Sequence, residues 1–285
     1  MRSTLLITAT LVSVLTVCPA FADGPSPDSS GYQYSQPIEP TFPNISYAAL
    51  SPSEKFDLYL PTARDRPAPL IIWIHGGAFS VGDKRSMPRR YFGPPPKPIN
   101  RMGPYQIQVP DVAAALTGKG YSVVSLNYRL LRHPGDTFAA YALPAVQDGK
   151  AAVRFLRANA AKYGLDPEKF AVWGNSAGGF MATMLAVTGH RPTVFDDPAL
   201  GNADVSSAVQ AAVIWYGAIE SDSFPPEIRI SHYISEAETI PPILIANGDA
   251  DDSVPVASAI RLKGAKLTSR KNSFAFVPIS PPNFG

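Results

Sequence analysis

Cysteine is almost absent from this chain: Cys18 is the only one in 285 residues. No internal disulfide can form, and none is needed, because a chain this long buries about 75% of its unfolded surface on folding. Charge imbalance is also lacking, with 25 Lys and Arg against 23 Asp and Glu, a formal net charge of +2. That excess is too small to mark a nucleic-acid binder, and no basic stretch alternates with aromatics as a strand-binding groove would. Beyond the first 17 residues no apolar run approaches the ~20 residues of a spanning helix. Repeats, heptads and a Gly-X-Y period are missing, which excludes solenoid, coiled coil and collagen. Metal and cofactor motifs are missing too: Asp249, Asp251 and Asp252 lack the glycine and glutamate positions of a calcium loop. What the chain has in excess is proline, 30 residues beside 21 glycines. Together they stay below the share that signals disorder, so they belong in the loops of a folded protein. With 45% hydrophobic and 17% charged residues, that protein is a core-forming globular one.

The N-terminus has the pattern of a bacterial export leader. Arg2 supplies the positive start, Thr4 to Val17 is apolar and small, and Ala20-Phe21-Ala22 offers the small-x-small cleavage site before Asp23. A stretch of about 14 residues is too short to anchor the chain across a ~30 Å bilayer core. Cys18 would leave with the leader; a lipid-attachment role for it is the alternative, which bulky Val17 disfavours. The expected location is secreted or periplasmic, with no membrane anchor after cleavage.

Residues 23–45 are rich in Pro, Ser and Asp without hydrophobic periodicity, which predicts a flexible arm. From residue 46 to 285 a single domain is expected. Phe56 to Leu60 alternates apolar and polar residues as a half-buried strand does, and Leu70 to Ile74 is a continuous run suited to a strand buried on both faces. Ser122–Leu126, Phe170–Trp173, Val209–Trp215, Ile243–Ala246 and Ser273–Val277 are further predicted strands. Helical patterns lie between them: one capped by Asp111 and ending before Gly118, one from Ala145 to Tyr163 with Pro144 in its first turn and Gly164 at its end, and others over Phe180–Val187 and Val256–Leu267. This alternation implies an α/β fold with a mostly parallel sheet covered by helices on both faces. Residues 84–110 break the rhythm with seven prolines, among them Pro94-Pro95-Pro96, Pro98 and Pro104, six basic residues and no acidic one before Asp111. Such a stretch is either a solvated, stiffened surface loop or part of a substrate rim.

Gly174-Asn175-Ser176-Ala177-Gly178 follows one predicted strand and opens a predicted helix. In that context Gly-x-Ser-x-Gly reads as a nucleophile elbow, a sharp turn that tolerates only small residues two positions from the serine. The helix behind it directs its N-terminal dipole to the place where negative charge develops. His75-Gly76-Gly77-Ala78-Phe79 follows the strand Leu70–Ile74. Small residues there let backbone N–H groups approach a carbonyl oxygen as it becomes an oxyanion. His75 precedes this loop and is read as orienting it rather than acting as a base.

With these motifs the chain resembles the α/β-hydrolases of the hormone-sensitive-lipase-like carboxylesterase group, in particular bacterial secreted esterases of the feruloyl and acetyl-xylan type. Asn127-Tyr128-Arg129-Leu130, Pro144-Ala145 with Asp148, and Pro241-Pro242-Ile243-Leu244 leading to Val254-Pro255 extend the likeness over about residues 46–284. The resemblance implies Ser176 as nucleophile, the backbone amides of Gly77, Ala78 and Ala177 as oxyanion hole, and Asp251 as triad acid, with Asp249 and Asp252 as competitors. It gives Arg129 and Asp148 structural roles, as a buried pair or as solvated residues. The implied partner is a small ester, such as one derived from plant cell wall, with no cofactor and no metal.

The family's last catalytic residue departs from this sequence. Its histidine belongs in the loop after the final strand, but none of His75, His133, His190 and His232 follows Asp251. Aligning Val277-Pro278 and Asn283-Phe284 puts Pro282 in the histidine's place, and Gly285 comes before the closing helix the family carries. Without a base the Ser176 hydroxyl is a weak nucleophile. Impaired ester hydrolysis is therefore expected, with His133, in the loop after the Tyr121–Asn127 strand, as the first substitute. The alternatives are a non-catalytic hydrolase-fold protein that binds esters or glycans, and a prolyl-oligopeptidase-type peptidase, weakened by the lack of a preceding propeller.

Cleavage at the leader is directly testable. Protein recovered from periplasm or medium should begin at Asp23 by intact-mass analysis; a mass retaining residues 1–22 would exclude this site.

Overall fold

The computed structural model describes residues 38–85, 109–217, 219–237, 239–264 and 274–279. The leader, most of the basic segment and Pro282 lie outside the described residues. The same holds for the expected lack of a closing helix.

Eight strands form one sheet in the order β1-β2-β4-β3-β5-β6-β7-β8. They are β1 (Phe42–Ser46), β2 (Lys55–Tyr59), β3 (Ala68–Ile74), β4 (Ser122–Leu126), β5 (Leu165–Asn175), β6 (Ala211–Trp215), β7 (Ile243–Gly248) and β8 (Phe274–Ile279). From β4 through β8 every neighbouring pair is parallel, while β1 and β2 run antiparallel at one edge. The predicted fold class and the seven predicted strands are all present. The extra strand is β1, which overlaps the arm expected over 23–45. Its burial is low and it carries Pro43 and a left-handed Asn44, so it has none of the alternation that marks a strand in sequence. Pairing with β2 creates it, helped by the Asn44 N–H donating to Asp57 Oδ1 at 2.7 Å.

Three further boundaries differ from expectation. Helix α1 (Val109–Thr117) starts before Asp111, with Pro110 in its first turn, where a missing N–H costs nothing. Helix α2 (Phe138–Ala158) encloses Pro144 rather than starting at it. The carbonyl that loses its partner there belongs to exposed Ala140, which makes the proline tolerable. The chain then breaks at Asn159 before a short α3 (Ala160–Tyr163), which ends at Gly164 with φ +65°. Helix α4 (Ala177–Thr188) is buried at every position, as an all-round apolar helix must be. Helices α5 (Ile230–Glu236) and α6 (Val256–Gly264) complete the described set.

Helices α2 and α4 pack on the larger apolar cluster on one face of the sheet. On the other face all three tryptophans, Trp73, Trp173 and Trp215, stand on adjacent strands with rings 4.8–6.1 Å apart, edge to face. Buried ion pairs pin the elements. Lys150 and Arg154 of α2 reach Asp196 at 2.6 and 3.5 Å and so hold the segment after α4. Lys84 pairs with Asp57 at 2.7 Å, both nearly inaccessible, and Arg85 pairs with Asp83. The charge of the 84–110 segment is thus partly neutralised from outside it: Lys84 is an anchor, not a solvated cation.

Arg129 and Asp148 form the buried pair. The carboxylate accepts from the Arg129 backbone N–H at 2.7 Å and from the guanidinium at 2.7 and 2.9 Å. Burial pushes the Asp148 carboxyl up to about 6, against the pull of Arg129. An unfolded Asp titrates near 3.9, so between these values the folded state holds the extra proton. This contribution to stability is complete below about pH 4 and is lost as pH rises through about 6. Two units correspond to roughly 3 kcal/mol. Denaturation curves at pH 4 and 7 should show that part of the decline disappear in Asp148→Asn; an unchanged pH dependence would contradict it.

Candidate active site

Parallel strands bring their C-terminal ends to one edge of the sheet, and register sets which loops meet there. Ile74 is opposite Gly174, Asn175 opposite Trp215, and Trp215 opposite Ala246. The loop after β3, the turn after β5, Tyr216 after β6 and the Asp251 loop after β7 are therefore neighbours, although up to 177 residues separate them in sequence.

Ser176 sits at the apex of the turn between β5 and α4 with φ +52° and ψ −121°. That conformation is strained for a non-glycine residue and needs strong support. Its N–H donates to the Trp215 carbonyl at 2.9 Å and its own carbonyl accepts from Phe180 at 2.9 Å. A Cβ on Gly174 would overlap the Gly178 carbonyl, and one on Gly178 would overlap the carbonyl of Ile74. The small residues of the motif are there because three backbones converge behind the serine.

The second strained element is the loop after β3. Gly77, Ala78 and Phe79 all have positive φ, at +119°, +52° and +62°. Phe79 is buried among the rings of Tyr128, Phe138, Tyr141 and Phe180, 5.5–6.4 Å away, which locks it in that state. Gly76 donates its N–H to Asn175 Oδ1 at 3.1 Å, while no hydrogen bond among the described residues engages the Gly77 or Ala78 amides. Those amides, with that of Ala177 at the start of α4, remain available as donors. Ala78, Ser176 and Ala177 line one cleft of about 250 Å³, whose other walls include Phe79, Phe138, Tyr141, Ile219 and Val254. Gly77 lies behind that lining.

Asp251 stands in the loop after β7. Its Oδ1 accepts from the Ser253 and Val254 N–H groups, each at 2.9 Å, and both of those residues line the cleft. Its competitors Asp249 and Asp252 are exposed. The structure therefore brings Ser176, Ala78, Ala177 and the Asp251 loop to one place.

All four histidines are among the described residues, and none lines the cleft. His75 is buried, stacks on Tyr128 at 4.6 Å and contacts the Gly76 carbonyl through Nδ1 at 2.7 Å. Burial lowers its pKa, so it is a neutral support for the loop, as expected. His133 is exposed in a turn where its N–H donates to Asp136. His190 follows α4, and His232 lies 3.5 Å from Glu236 on α5. Desolvation raises the phenol pKa of Tyr216, against the hydrogen bond from Asn175, and the Asp251 charge raises it further.

Two contributors escape sequence reasoning. Asn175 joins the two strained loops, accepting from Gly76 and donating to the Tyr216 hydroxyl at 3.1 Å. It occupies a variable position of the serine motif, so only its contacts identify it. Arg132 lines the cleft beside Ala78 from the loop after β4, a stretch with no motif of its own.

Comparison with known proteins agrees with this architecture. A family model described as BD-FAE matches residues 104–231, which include Ser176. Esterase LipQ of Mycobacterium tuberculosis is 27% identical over 240 residues, covering 73% of this chain and 49% of its own. Carboxylesterase NlhH of the same organism is 31% identical over 141 residues, 47% of this chain and 35% of its own. The chain spans about half the length of the first curated relatives it matches. Among solved structures, a truncated carbohydrate esterase from gut microbiota superimposes with a TM-score of 0.61 at 24% identity, covering 86% of this chain and 90% of the other. A Thermogutta terrifontis esterase gives 0.65 at 20%, covering 83% and 80%. Sheet order, serine turn and the structural likenesses together show the α/β-hydrolase fold, and the sequence likenesses make the chain similar to carboxylesterases.

Proposed function

We propose that this chain is an exported serine carboxylesterase-type hydrolase of short acyl esters whose turnover is held low by the lack of an imidazole beside Ser176. One observation carries the reading: Ser176 lies on a supported, strained turn in a cleft with Ala78 and Ala177, and none of the four histidines lines that cleft. Attack by Oγ on an ester carbonyl would form a tetrahedral oxyanion, which the Gly77, Ala78 and Ala177 amides would stabilise. Among the described residues no histidine lines the cleft to take the proton leaving Oγ, and on this reading that step limits the rate. Similarity to esterases supports ester chemistry, and the likeness to a carbohydrate esterase suits acylated carbohydrate, such as that of plant cell wall, as the substrate we propose. The same missing imidazole favours a second reading, in which the cleft binds esters or glycans without cleaving them.

Hydrolysis of a short-chain chromogenic ester separates the two. In a serine protease, losing the histidine costs about 10⁶ in turnover and leaves roughly 10³–10⁴ over water. A comparable residual rate above the uncatalysed one, largely kept in Ser176→Ala because the oxyanion donors and binding supply it, is expected for the esterase; no rate above the uncatalysed one supports the binder. Pro282→His should raise the rate only partly, since a base must be held within about 0.5 Å of its productive position. Adding a Gly-rich loop and a closing helix should raise it much further, and Asp251→Asn should remove the gain. Ordinary turnover by the unaltered chain, about 1–10³ s⁻¹, would overturn the missing-base argument.

Asn175 gives a separate test in the rescued protein. Asn175→Ala should free the Gly76 loop and lower kcat about tenfold or more with KM nearly unchanged, as expected when oxyanion donors move. A rise in KM alone would assign Asn175 to ground-state binding instead.

A further inference from the structure

We infer that Arg132 makes the cleft a binding site for esters that carry a carboxylate near the reacting carbonyl. This inference rests on the cleft being the ester site proposed above. Among the described residues Arg132 is the only charged one in the cleft lining, and the aromatic rings of Phe79, Phe138 and Tyr141 supply much of the rest. Its position is set from both sides. The backbone N–H donates to the Phe79 carbonyl at 3.4 Å, and the guanidinium lies 5.4 Å from the centre of the Tyr141 ring. Nη1 is 3.5 Å from the Ala78 carbonyl, at the edge of hydrogen-bond range.

The guanidinium is otherwise unused. Arg85, Arg129, Arg154 and Arg191 each pair with a carboxylate, and Arg157 and Arg229 satisfy backbone carbonyls. Arg132 has no carboxylate partner among the described residues, and Asp136, the nearest acid in its own loop, accepts the His133 N–H. A planar fork of five N–H donors, held over a ring and unpaired, matches a carboxylate in two-point geometry. Its place beside Ala78 means that an ester whose carbonyl oxygen meets the Ala78 amide would bring a carboxylate a few atoms away within reach. The aromatic walls exclude water on one side and so strengthen the attraction.

Ligand-observed NMR titration of the Ser176→Ala chain tests this without turnover. The probes are monoethyl succinate, with its charge on the acyl side, 3-acetoxypropanoate, with its charge on the alcohol side, and neutral diethyl succinate. One of the two anions should bind about fivefold more tightly than diethyl succinate at low salt, and which one shows the side Arg132 reads. The preference should shrink at high salt, as an exposed charge requires. Arg132→Gln should bring anion and neutral ester to equal affinity, and Arg132→Lys should keep part of the preference. Equal binding of all three esters to the parent, or a preference that survives Arg132→Gln, overturns this inference alone. Failure of every ester to bind a folded protein overturns the ester-cleft reading as well.

Discussion

The backbone turn at Ser176 is the constraint around which this molecule is arranged. A residue with a side chain must hold φ +52° at the end of a buried strand. Such a state costs on the order of 1–3 kcal/mol and persists only where surroundings over-determine it. Here the supports are the hydrogen bond to Trp215, the bond from Phe180, and three backbones packed too closely for any Cβ at Gly174 or Gly178. Strands β3, β5 and β6 are held in that convergence by the apolar layers on both faces, so the core and the serine turn are one construction.

The oxyanion loop repeats the arrangement with different means. Its three positive φ values are stabilised by a buried phenylalanine in a box of four rings rather than by small residues. Asn175 then fastens this loop to the serine turn, so the two strained elements cannot drift apart independently. Farther out, the Arg129–Asp148 pair fixes the loop after β4 to helix α2, and the Lys84–Asp57 pair fixes the loop after β3 to strand β2. Removing one partner from such a pair leaves a buried charge and costs far more than the pair contributes in net stability. The serine turn and the loop after β3 are therefore held in place by supports that do not depend on any histidine lining the cleft.

Much of this was legible in the residues. Continuous apolar runs separated by helical patterns set the parallel sheet, and Gly174 to Gly178 marked the serine turn, because both depend on local pattern and on the steric needs of a few consecutive residues. The pairing of Lys84 with Asp57, 27 residues apart, the Asn175 bridge across 99 residues and the strand at Phe42–Ser46 were not legible. Each depends on a partner that sequence proximity does not indicate. Sequence spacing alone set Asp251 apart from its neighbours, and its acceptance of the Ser253 and Val254 N–H groups, both residues of the cleft lining, is visible only in the tertiary structure. Arg132 shows the division most clearly. As a residue it is one of 25 basic side chains. Tertiary structure alone sets it beside Ala78 and over Tyr141, with no carboxylate partner among the described residues, because which groups a cation meets is decided by chain packing in three dimensions and not by its place in the sequence.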